Sequence, residues 1–298
     1  MRIKIGTRGS KLALWQAKHV AGVLGSLNVE TELCVIRTKG DEVQDVPLRE
    51  LGTTGIFTKA LDEALLDGRI DIAVHSSKDM PSVLAAPLEL VAILKREDPR
   101  DVLLGNDESI QLENFARPLV IGTSSVRRRA LLKHFFPQVE VKEIRGNIDT
   151  RIDKMRAGEY DGIMLAYAGV KRLGFQQLVT QKFNLHSFTP APGQGAIGVS
   201  CRADYAQKAL IRQALNHTAT EVALRCERAF LRGLNAGCQT PAFGLATVFG
   251  SQITFVAGLA EENGHKLFRS SREGEAAHAE QIGMEVAGNI LKQKAATA

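Results

Sequence analysis

Hydroxyl and arginine side chains are concentrated in one short segment, G-T-S-S-V-R-R-R, at residues 122 to 129. Thr123, Ser124 and Ser125 stand where an apolar run ends and a helical pattern begins, and Arg127 and Arg128 fall in the first helical turn. Backbone N–H groups at a helix N-terminus, hydroxyls and guanidinium groups together bind carboxylates or phosphates. Cations in a first turn oppose the helix dipole, so stability alone does not explain them. The segment predicts an anion site, and a capped helix with a solvated basic face is the alternative.

Two further cations flank the turn that follows the next apolar run, R-G-N-I-D-T-R, at residues 145 to 151. Arg145, Gly146 and Arg151 repeat the setting of a glycine-containing turn that enters a helix. The segment therefore adds positive charge beside the first anion site.

A second kind of chemistry is suggested by D-I-A-V-H-S-S-K-D-M-P, residues 71 to 81. Ser76, Lys78 and Asp79 stand where an apolar strand ends and a loop begins. In such a loop, Lys can bind an anionic group and Asp can act as an acid–base group. A surface ion pair at a turn explains this segment alone equally well.

The segment G-Q-G-A-I-G, residues 193 to 198, matches a dinucleotide-binding pattern, but its context is wrong. It follows Pro-Ala-Pro instead of a strand, and a strand-like run follows it instead of a helix. We reject nucleotide binding and retain a tight turn with Gln194 directed at a ligand.

One cysteine differs from the other three. Cys34, Cys201 and Cys226 lie in apolar runs, where burial is the default, whereas Cys238 stands among turn formers in L-N-A-G-C-Q-T-P. An exposed thiol in a reducing compartment is a candidate nucleophile or attachment point. The four cysteines form no C-x-x-C pair, so no metal site is predicted.

Composition narrows the class of protein. The chain has 298 residues and a net charge of +5, which favours anionic partners. Aromatic residues make up only 5%, too few to interleave with bases, so nucleic acid is not an expected partner. The sequence shows no secretory h-region and no membrane-spanning run, so we expect a cytoplasmic location and no membrane association.

Strand-like runs alternate with helical periods, which indicates α/β architecture with mostly parallel sheets. The segment I-G-T-R-G-S-K-L-A-L at residues 5 to 14 is echoed by I-G-T-S-S-V-R-R-R-A-L-L at residues 121 to 132. We infer two similar α/β domains that face one another across a crevice, followed by a small α+β domain. The predicted boundaries are 1–96 with 194–215 for domain 1, 100–189 for domain 2 and 217–298 for domain 3.

Periodicity and turn signals give the individual elements. The predicted strands before the third domain are 2–6, 32–38, 71–75, 88–94, 119–122, 139–144 and 162–166, and the predicted helices are 11–24, 57–66, 126–136, 148–157 and 219–234. In the third domain, strands are predicted at 245–249, 253–260 and 266–270, before a final helix.

Together these segments resemble the porphobilinogen deaminase family, whose members are also called hydroxymethylbilane synthases. The matching pieces occur in the family's order and span nearly the whole chain. They are T-R-G-S-K-L-A-L-W-Q, T-K-G-D, D-I-A-V-H-S-S-K-D-M-P, K-R-E-D-P-R-D, G-T-S-S-V-R-R, R-G-N-I-D-T-R, L-A-Y-A-G-V-K-R-L-G, P-G-Q-G-A-I-G, C-E-R-A-F-L-R and A-G-C-Q-T-P.

The resemblance implies a monomeric enzyme of tetrapyrrole biosynthesis with three domains, the first two like periplasmic binding proteins. It implies a covalent dipyrromethane cofactor, one per chain, on which four porphobilinogen molecules are joined head to tail with loss of ammonia. Hydrolysis then releases hydroxymethylbilane. A two-lobed anion-binding or effector-sensing module without catalysis is the alternative, but it gives no reason for the third domain with its exposed cysteine.

The resemblance also assigns residues. It implies that Cys238 carries the cofactor through a thioether, and that Asp79 is the catalytic carboxylate that stabilises the cation left when ammonia departs. It places the cofactor on Ser76, Lys78, Thr123, Ser124, Ser125, Arg127, Arg128, Arg145 and Gly146, and the substrate on Arg8, Ser10, Phe57, Arg151, Arg172 and Gln194.

The chain departs from the family pattern in one segment. Many members read K-V-G-G-K-G-L-F where this chain reads E-L-G-T-T-G-I-F, residues 50 to 57. Two commonly basic positions are therefore Glu50 and Thr54, in a segment that resembles the family's active-site loop. We expect loop gating to differ, or nearby Lys39, Arg49 or Lys59 to compensate.

Overall fold

The computed structural model describes residues 2–38, 58–113, 117–237 and 239–297. Six residues named above lie outside the described residues, and they are Lys39, Arg49, Glu50, Thr54, Phe57 and Cys238. The strands are β1 (Arg2–Thr7), β2 (Glu30–Val35), β3 (Ile72–Ser76), β4 (Leu88–Ile93), β5 (Asp101–Gly105), β6 (Val120–Gly122), β7 (Glu140–Lys142), β8 (Gly162–Ala166), β9 (Val179–Lys182), β10 (Ile197–Arg202), β11 (Ala242–Phe249), β12 (Gln252–Ala260) and β13 (Leu267–Glu275). The helices are α1 (Lys11–Gly25), α2 (Lys59–Leu66), α3 (Val126–Phe135), α4 (Ile148–Arg156), α5 (Tyr167–Arg172), α6 (Lys208–Leu215), α7 (Thr218–Gly233) and α8 (Ala279–Ala295).

The first two sheets follow one plan. The first has the strand order β2-β1-β3-β10-β4 and the second β7-β6-β8-β5-β9. In each, three parallel strands are followed by an antiparallel one and a fifth strand on its far side. The first sheet with α1, α2 and α6 is called the first lobe below, and the second sheet with α3, α4 and α5 the second lobe. The prediction of two similar α/β domains is confirmed.

The antiparallel strand in each sheet results from the chain's route. Strand β5 is the first strand after the chain leaves the first sheet, and β10 is the strand that returns to it. A crossing strand enters its sheet from the opposite end, so it runs against its neighbours. Four of the five strands in each sheet run in the same direction, in agreement with the prediction of mostly parallel sheets. Because the opposite strand lies between two of them, half of the paired neighbours in each sheet are antiparallel.

Helix α1 shows how sequence pattern becomes packing. Its buried residues Ala13, Ala17, Val20 and Leu24 recur every three or four positions and therefore lie on one face. That face covers the first sheet's core, which includes Ile72. Each buried large apolar side chain contributes about 1.5–3 kcal/mol relative to an exposed one.

The sequence indicates β10 only as the strand-like run after G-Q-G-A-I-G, and it does not indicate strands β5 and β9 or helices α5 and α6 of the lobes. Strand β5 is buried at every residue and so lacks the alternation that identifies a half-buried strand. Strand β9 has only four residues and helix α5 only six, too short for a clear period, and α6 was also missed.

The chain after α6 forms a small α+β unit, as predicted. Its sheet has the order β11-β12-β13, and helices α7 and α8 pack on the sheet and on each other. The exact domain boundaries stay a prediction.

Two negative observations apply to the described ranges alone. None of their helices combines the length and apolar character needed to cross a membrane. Those ranges also hold no cluster of three or more His, Cys, Asp or Glu side chains suited to a metal ion.

Candidate active site

Equivalent strand ends meet at the crevice between the lobes. Strand β1 ends at Thr7, and Ser10 then caps α1 by accepting a hydrogen bond from the backbone N–H of Ala13 at 3.3 Å. Strand β6 ends at Gly122, and Ser125 caps α3 by accepting from the N–H of Arg128 at 3.4 Å. The echo seen in the sequence is therefore a structural equivalence.

The two lobes contact each other beside this crevice. Lys11 Nζ lies 2.8 Å from Asp149 Oδ2 on the opposite lobe. Arg172 reaches from α5, stacks over the Trp15 ring at 5.5 Å and donates to the carbonyl of Gly195 at 2.8 Å. Burial lowers the pKa of Arg172 to about 10. Arg172 therefore connects the second lobe to the first at the edge of the crevice.

Charged groups from both lobes converge in the crevice. Lys78 and Asp79 lie in a single 3₁₀ turn after β3, while Arg128, Arg145 and Arg151 come from the second lobe. The negative charge of Asp79 acts on Lys78, Arg128 and Arg151. The structure thus brings the predicted acid and four of the predicted cations into one cluster.

Arg151 is held within this cluster by its own turn. Its Nε donates to the carbonyl of Gly146 at 2.8 Å. Burial lowers its pKa to about 10, and the positive charges of Arg128 and Arg145 add to the shift, while Asp79 opposes it. Gly146 has a φ of 110°, and a Cβ there would lie 2.8 Å from the Thr150 side chain, so only glycine fits the turn.

The Lys78 side chain keeps a solvent-exposed part, and charged and polar groups of both lobes lie close to it. Desolvation lowers its pKa to about 8, and the positive charge of Arg128 contributes to the shift. Its Nζ donates to Gln194 Oε1 at 3.4 Å. Lys78 therefore loses its charge far more readily than an ordinary lysine.

A buried carboxylate that the sequence analysis did not single out neutralises part of the arginine cluster. Asp101, with no exposed surface, accepts from Arg127 Nη1 at 2.7 Å, from Arg128 Nε at 2.9 Å and from Gln194 Nε2 at 2.9 Å. Burial alone would raise the pKa of Asp101, but the charges of Arg127 and Arg128 hold it well below its ordinary value. The only sequence signal was the aspartate that closes the K-R-E-D-P-R-D segment.

This network directs Arg127 into the protein. The residue is only 3% exposed, and its Nη1 also donates to the carbonyl of Thr189 at 3.0 Å. Gln194, itself buried, accepts from Arg128 Nη2 at 3.4 Å and donates to the carbonyl of Pro99 at 2.7 Å. The chain crosses between the lobes in two places, from β4 to β5 and from β9 to β10, and these are called the crossing segments below. Gln194 therefore joins both crossing segments to cations of both lobes.

The predicted hydroxyl groups already have protein partners. Thr123 Oγ1 accepts from the N–H of Ser125 at 3.3 Å, and the Ser124 hydroxyl donates to the carbonyl of Ile144. On the first lobe, Ser76 Oγ lies 3.0 Å from Gln16 Nε2. These hydroxyls shape the turns at the crevice.

Arg8 lies on the first-lobe side, close to His75. Burial first, and then the positive charge of Arg8, lowers the pKa of His75 to about 4. His75 Nε2 lies 3.1 Å from Ser200 Oγ. His75 is therefore a neutral core residue, and Arg8 contributes another cation to the wall of the crevice.

The small α+β unit after α6, called the third unit below, is joined to the lobes through Glu227 on α7. This fully buried carboxylate accepts from Arg96 Nη2 at 2.9 Å, from the N–H of Gly193 at 2.6 Å and from the N–H of Ala246 at 2.9 Å. It therefore fixes α7 to both crossing segments. Glu227 belongs to the C-E-R-A-F-L-R motif, but no local sequence signal marks it as a link between distant segments.

Two family models match the chain, one over the two lobes and one over the third unit. Residues 3–209 match "Porphobilinogen deaminase, dipyromethane cofactor binding domain", and residues 222–292 match "Porphobilinogen deaminase, C-terminal domain". The cofactor expected from the sequence is therefore confirmed as dipyrromethane.

Curated relatives match along nearly the whole chain. The porphobilinogen deaminase of Desulfosudis oleivorans is 43% identical over 98% of this chain and 95% of its own length. That of Cytophaga hutchinsonii is 44% identical over 98% of this chain and 94% of its own length.

Among solved structures, a periplasmic substrate-binding protein of an ABC transporter from Coxiella burnetii has a TM-score of 0.45 at 11% identity, covering 71% of this chain and 91% of its own. The sequence matches, in contrast, are high in identity and full in length. The chain belongs to the porphobilinogen deaminase family.

Proposed function

We propose that the crevice between the two lobes is the active site, with Asp79 as its catalytic carboxylate and Cys238 as the point of cofactor attachment. As a family member, the chain is a transferase of tetrapyrrole biosynthesis that deaminates porphobilinogen and joins four molecules head to tail, releasing hydroxymethylbilane. The observation that carries the proposal is the placement of Asp79 among cations from both lobes.

The charge of the crevice fits its ligands. Every pyrrole ring of porphobilinogen and of dipyrromethane carries an acetate and a propionate. Lys78, Arg145 and Arg151 are suited to hold such carboxylates, because cationic donors form the stronger hydrogen bonds. Asp101 is enclosed by Arg127 and Arg128 and so does not oppose anionic ligands in the crevice. The residues present therefore fit the cofactor.

Bound dipyrromethane supplies the pyrrole carbon to which the first substrate is joined. On the protein side, Lys78, Arg145 and Arg151 orient the carboxylates, and the turns built by Ser76, Thr123, Ser124, Ser125 and Gly146 shape the cofactor side. Arg127 and Arg128 support this wall through Asp101. We assign the substrate side to Arg8, Ser10, Phe57, Arg151 and Arg172. Lys78 serves carboxylates of both the cofactor and the incoming substrate, and the predicted contact Gln194 supports Lys78 and Arg128 from the interior.

Asp79 acts where charge develops. When the C–N bond of porphobilinogen breaks, ammonia leaves with the electron pair and the remaining pyrrole is cationic. A carboxylate placed against the pyrrole N–H stabilises that charge. After the new C–C bond forms, the ring carbon of the growing chain that made the bond must lose its proton, and Asp79 accepts it.

Finer points stay predictions from the sequence. They are a monomeric state, a cytoplasmic location, and the absence of nucleic-acid and membrane partners. The chain's resemblance to its family and its 5% share of aromatic residues support them.

The test is Asp79→Asn, which keeps the shape of the side chain and removes its charge. We expect kcat to fall by about 10²–10⁴-fold, because the amide neither stabilises a cation nor accepts the proton. Intact mass should still show the attached cofactor. Asp67→Asn, at an exposed aspartate after α2, is the matched control and should turn over normally. A near-normal rate for Asp79→Asn would refute the catalytic role.

A further inference from the structure

The loop that carries Asp79 is held from the third unit by an arginine with no assigned role. Arg228 Nη2 on α7 donates to the carbonyl of Ser82 at 3.0 Å, and Ser82 lies three residues beyond Asp79. Arg228 is half-buried, and burial followed by the positive charge of Arg232 lowers its pKa to about 10. Within the described ranges, no carboxylate forms a salt bridge with it. A desolvated cation without a counter-charge costs stability, so stability alone does not account for Arg228.

The other side of the same loop is held by the residue before Arg228. Glu227 accepts from the N–H of Gly193 at 2.6 Å. Gly193 packs directly on the backbone at the start of the 3₁₀ turn, since a Cβ at Gly193 would lie 2.9 Å from the backbone N of Lys78. Neighbouring residues of α7 therefore secure both flanks of Asp79, one through Gly193 and one through Ser82.

Helix α7 also leads to the cofactor cysteine. It ends at Gly233, and Cys238 follows five residues later in the sequence. From Arg228 to the end of α7 the helix rises only about 7.5 Å, at 1.5 Å per residue. A rigid helix of this length transmits position well, so the Asp79 loop and the segment that directly follows α7 share one support.

We propose that Arg228 is a positioning residue for the coupling step, which sets the Asp79 loop relative to the helix that precedes the cofactor cysteine. This inference rests on the proposed role of Asp79. Arg228 binds no substrate in this account. Its contribution is to hold the carboxylate at the distance from the pyrrole N–H at which charge stabilisation is effective.

The test compares Arg228→Met and Arg228→Lys with wild type in the full-length holoenzyme. For Arg228→Met we expect kcat to fall about tenfold, because a small displacement of a catalytic group is costly, while KM stays within about twofold. Arg228→Lys keeps a charged donor and should recover most of the rate. Arg225→Met, at an exposed arginine on the same helix, is the matched control and should behave as wild type.

Melting temperature, intact mass and Asp79→Asn are measured in parallel. A normal kcat in Arg228→Met overturns the inference, and so does a loss of rate that tracks melting temperature across both Arg228 variants, as a merely structural role would produce. If Asp79→Asn turns over normally, the proposed function fails. If Asp79→Asn is inactive while Arg228→Met is normal, only the present inference fails.

Discussion

The two lobes share a fold and differ in where they place charge. After the third strand of the first lobe, Ser76 is followed two and three positions later by Lys78 and Asp79, whereas after Ala166 in the second lobe the same positions are Ala168 and Gly169, both buried. After the first strand the pattern reverses. The capping serines Ser10 and Ser125 precede Leu12 and Ala13 in the first lobe but Arg127 and Arg128 in the second.

The fourth strand of the second lobe supplies a counter-charge for these two arginines. Asp101 begins β5 opposite Ala166, and Ile197 begins β10 opposite Ser76, so the two residues occupy equivalent positions. The second lobe therefore replaces an apolar contact with a buried aspartate between two arginines. We propose that the first lobe supplies the catalytic carboxylate, and that the second supplies most of the anion-binding cations and their internal counter-charge.

Removal of that counter-charge should have the largest effect on stability. Asp101→Asn leaves Arg127 and Arg128 buried without a carboxylate, so we expect the free energy of unfolding to fall by about 3–5 kcal/mol. Ile197→Val, at the equivalent first-lobe position, should cost only about 0.5–1.5 kcal/mol. Urea denaturation checks both. Similar losses at the two positions would show that the lobes do not differ in the way proposed.

An arginine of the second lobe should affect substrate binding more than chemistry. Arg151→Gln removes a charge-assisted contact worth about 1.5–3 kcal/mol, so KM should rise by about tenfold or more, with kcat nearly unchanged. Arg156→Gln, at an exposed arginine on the same helix, is the control. Steady-state kinetics distinguishes the two effects. A loss confined to kcat in Arg151→Gln would assign chemistry to the second lobe and contradict the division of roles.

The smallest effect concerns Lys78, a cation of the first lobe. The pKa of Lys78 is lowered to about 8 from its ordinary 10.5, so its charge is present at neutral pH and is lost as pH rises through 8. Between pH 8 and 10.5 the unfolded chain binds more protons at this residue, so its contribution to stability increases with pH. Carboxylate binding weakens over the lower part of that range, and KM should rise several-fold. Lys78→Arg should remove this rise, and an unchanged pH profile in that variant would exclude Lys78 as a substrate contact.

Local sequence signals located much of the site but not its internal partners. Ser124 and Ser125 at a strand end, and Lys78 and Asp79 in a loop after an apolar run, are identifiable because strand ends face the crevice of an α/β fold. The same local setting made Arg127 a predicted ligand, although the residue points inward. Its partner Asp101 is 26 residues away, and β5, which holds Asp101, lacks any periodic signal.

Contacts between distant segments were also beyond sequence reasoning. Lys78 meets Gln194 across 116 positions, and Arg228 meets Ser82 across 146. Such pairs depend on how the chain crosses between the sheets and returns. One sequence without aligned relatives contains the residues but not their distances.

Intact mass of the purified chain tests most directly whether this crevice serves a pyrrole chain attached to Cys238. Wild type and Asp79→Asn should both carry an excess equal to two linked pyrrole units, because attachment and catalysis are assigned to different residues. Cys238→Ser should lack the excess and be inactive. An active wild-type protein without the added mass, or a Cys238→Ser variant that retains it, would contradict the account.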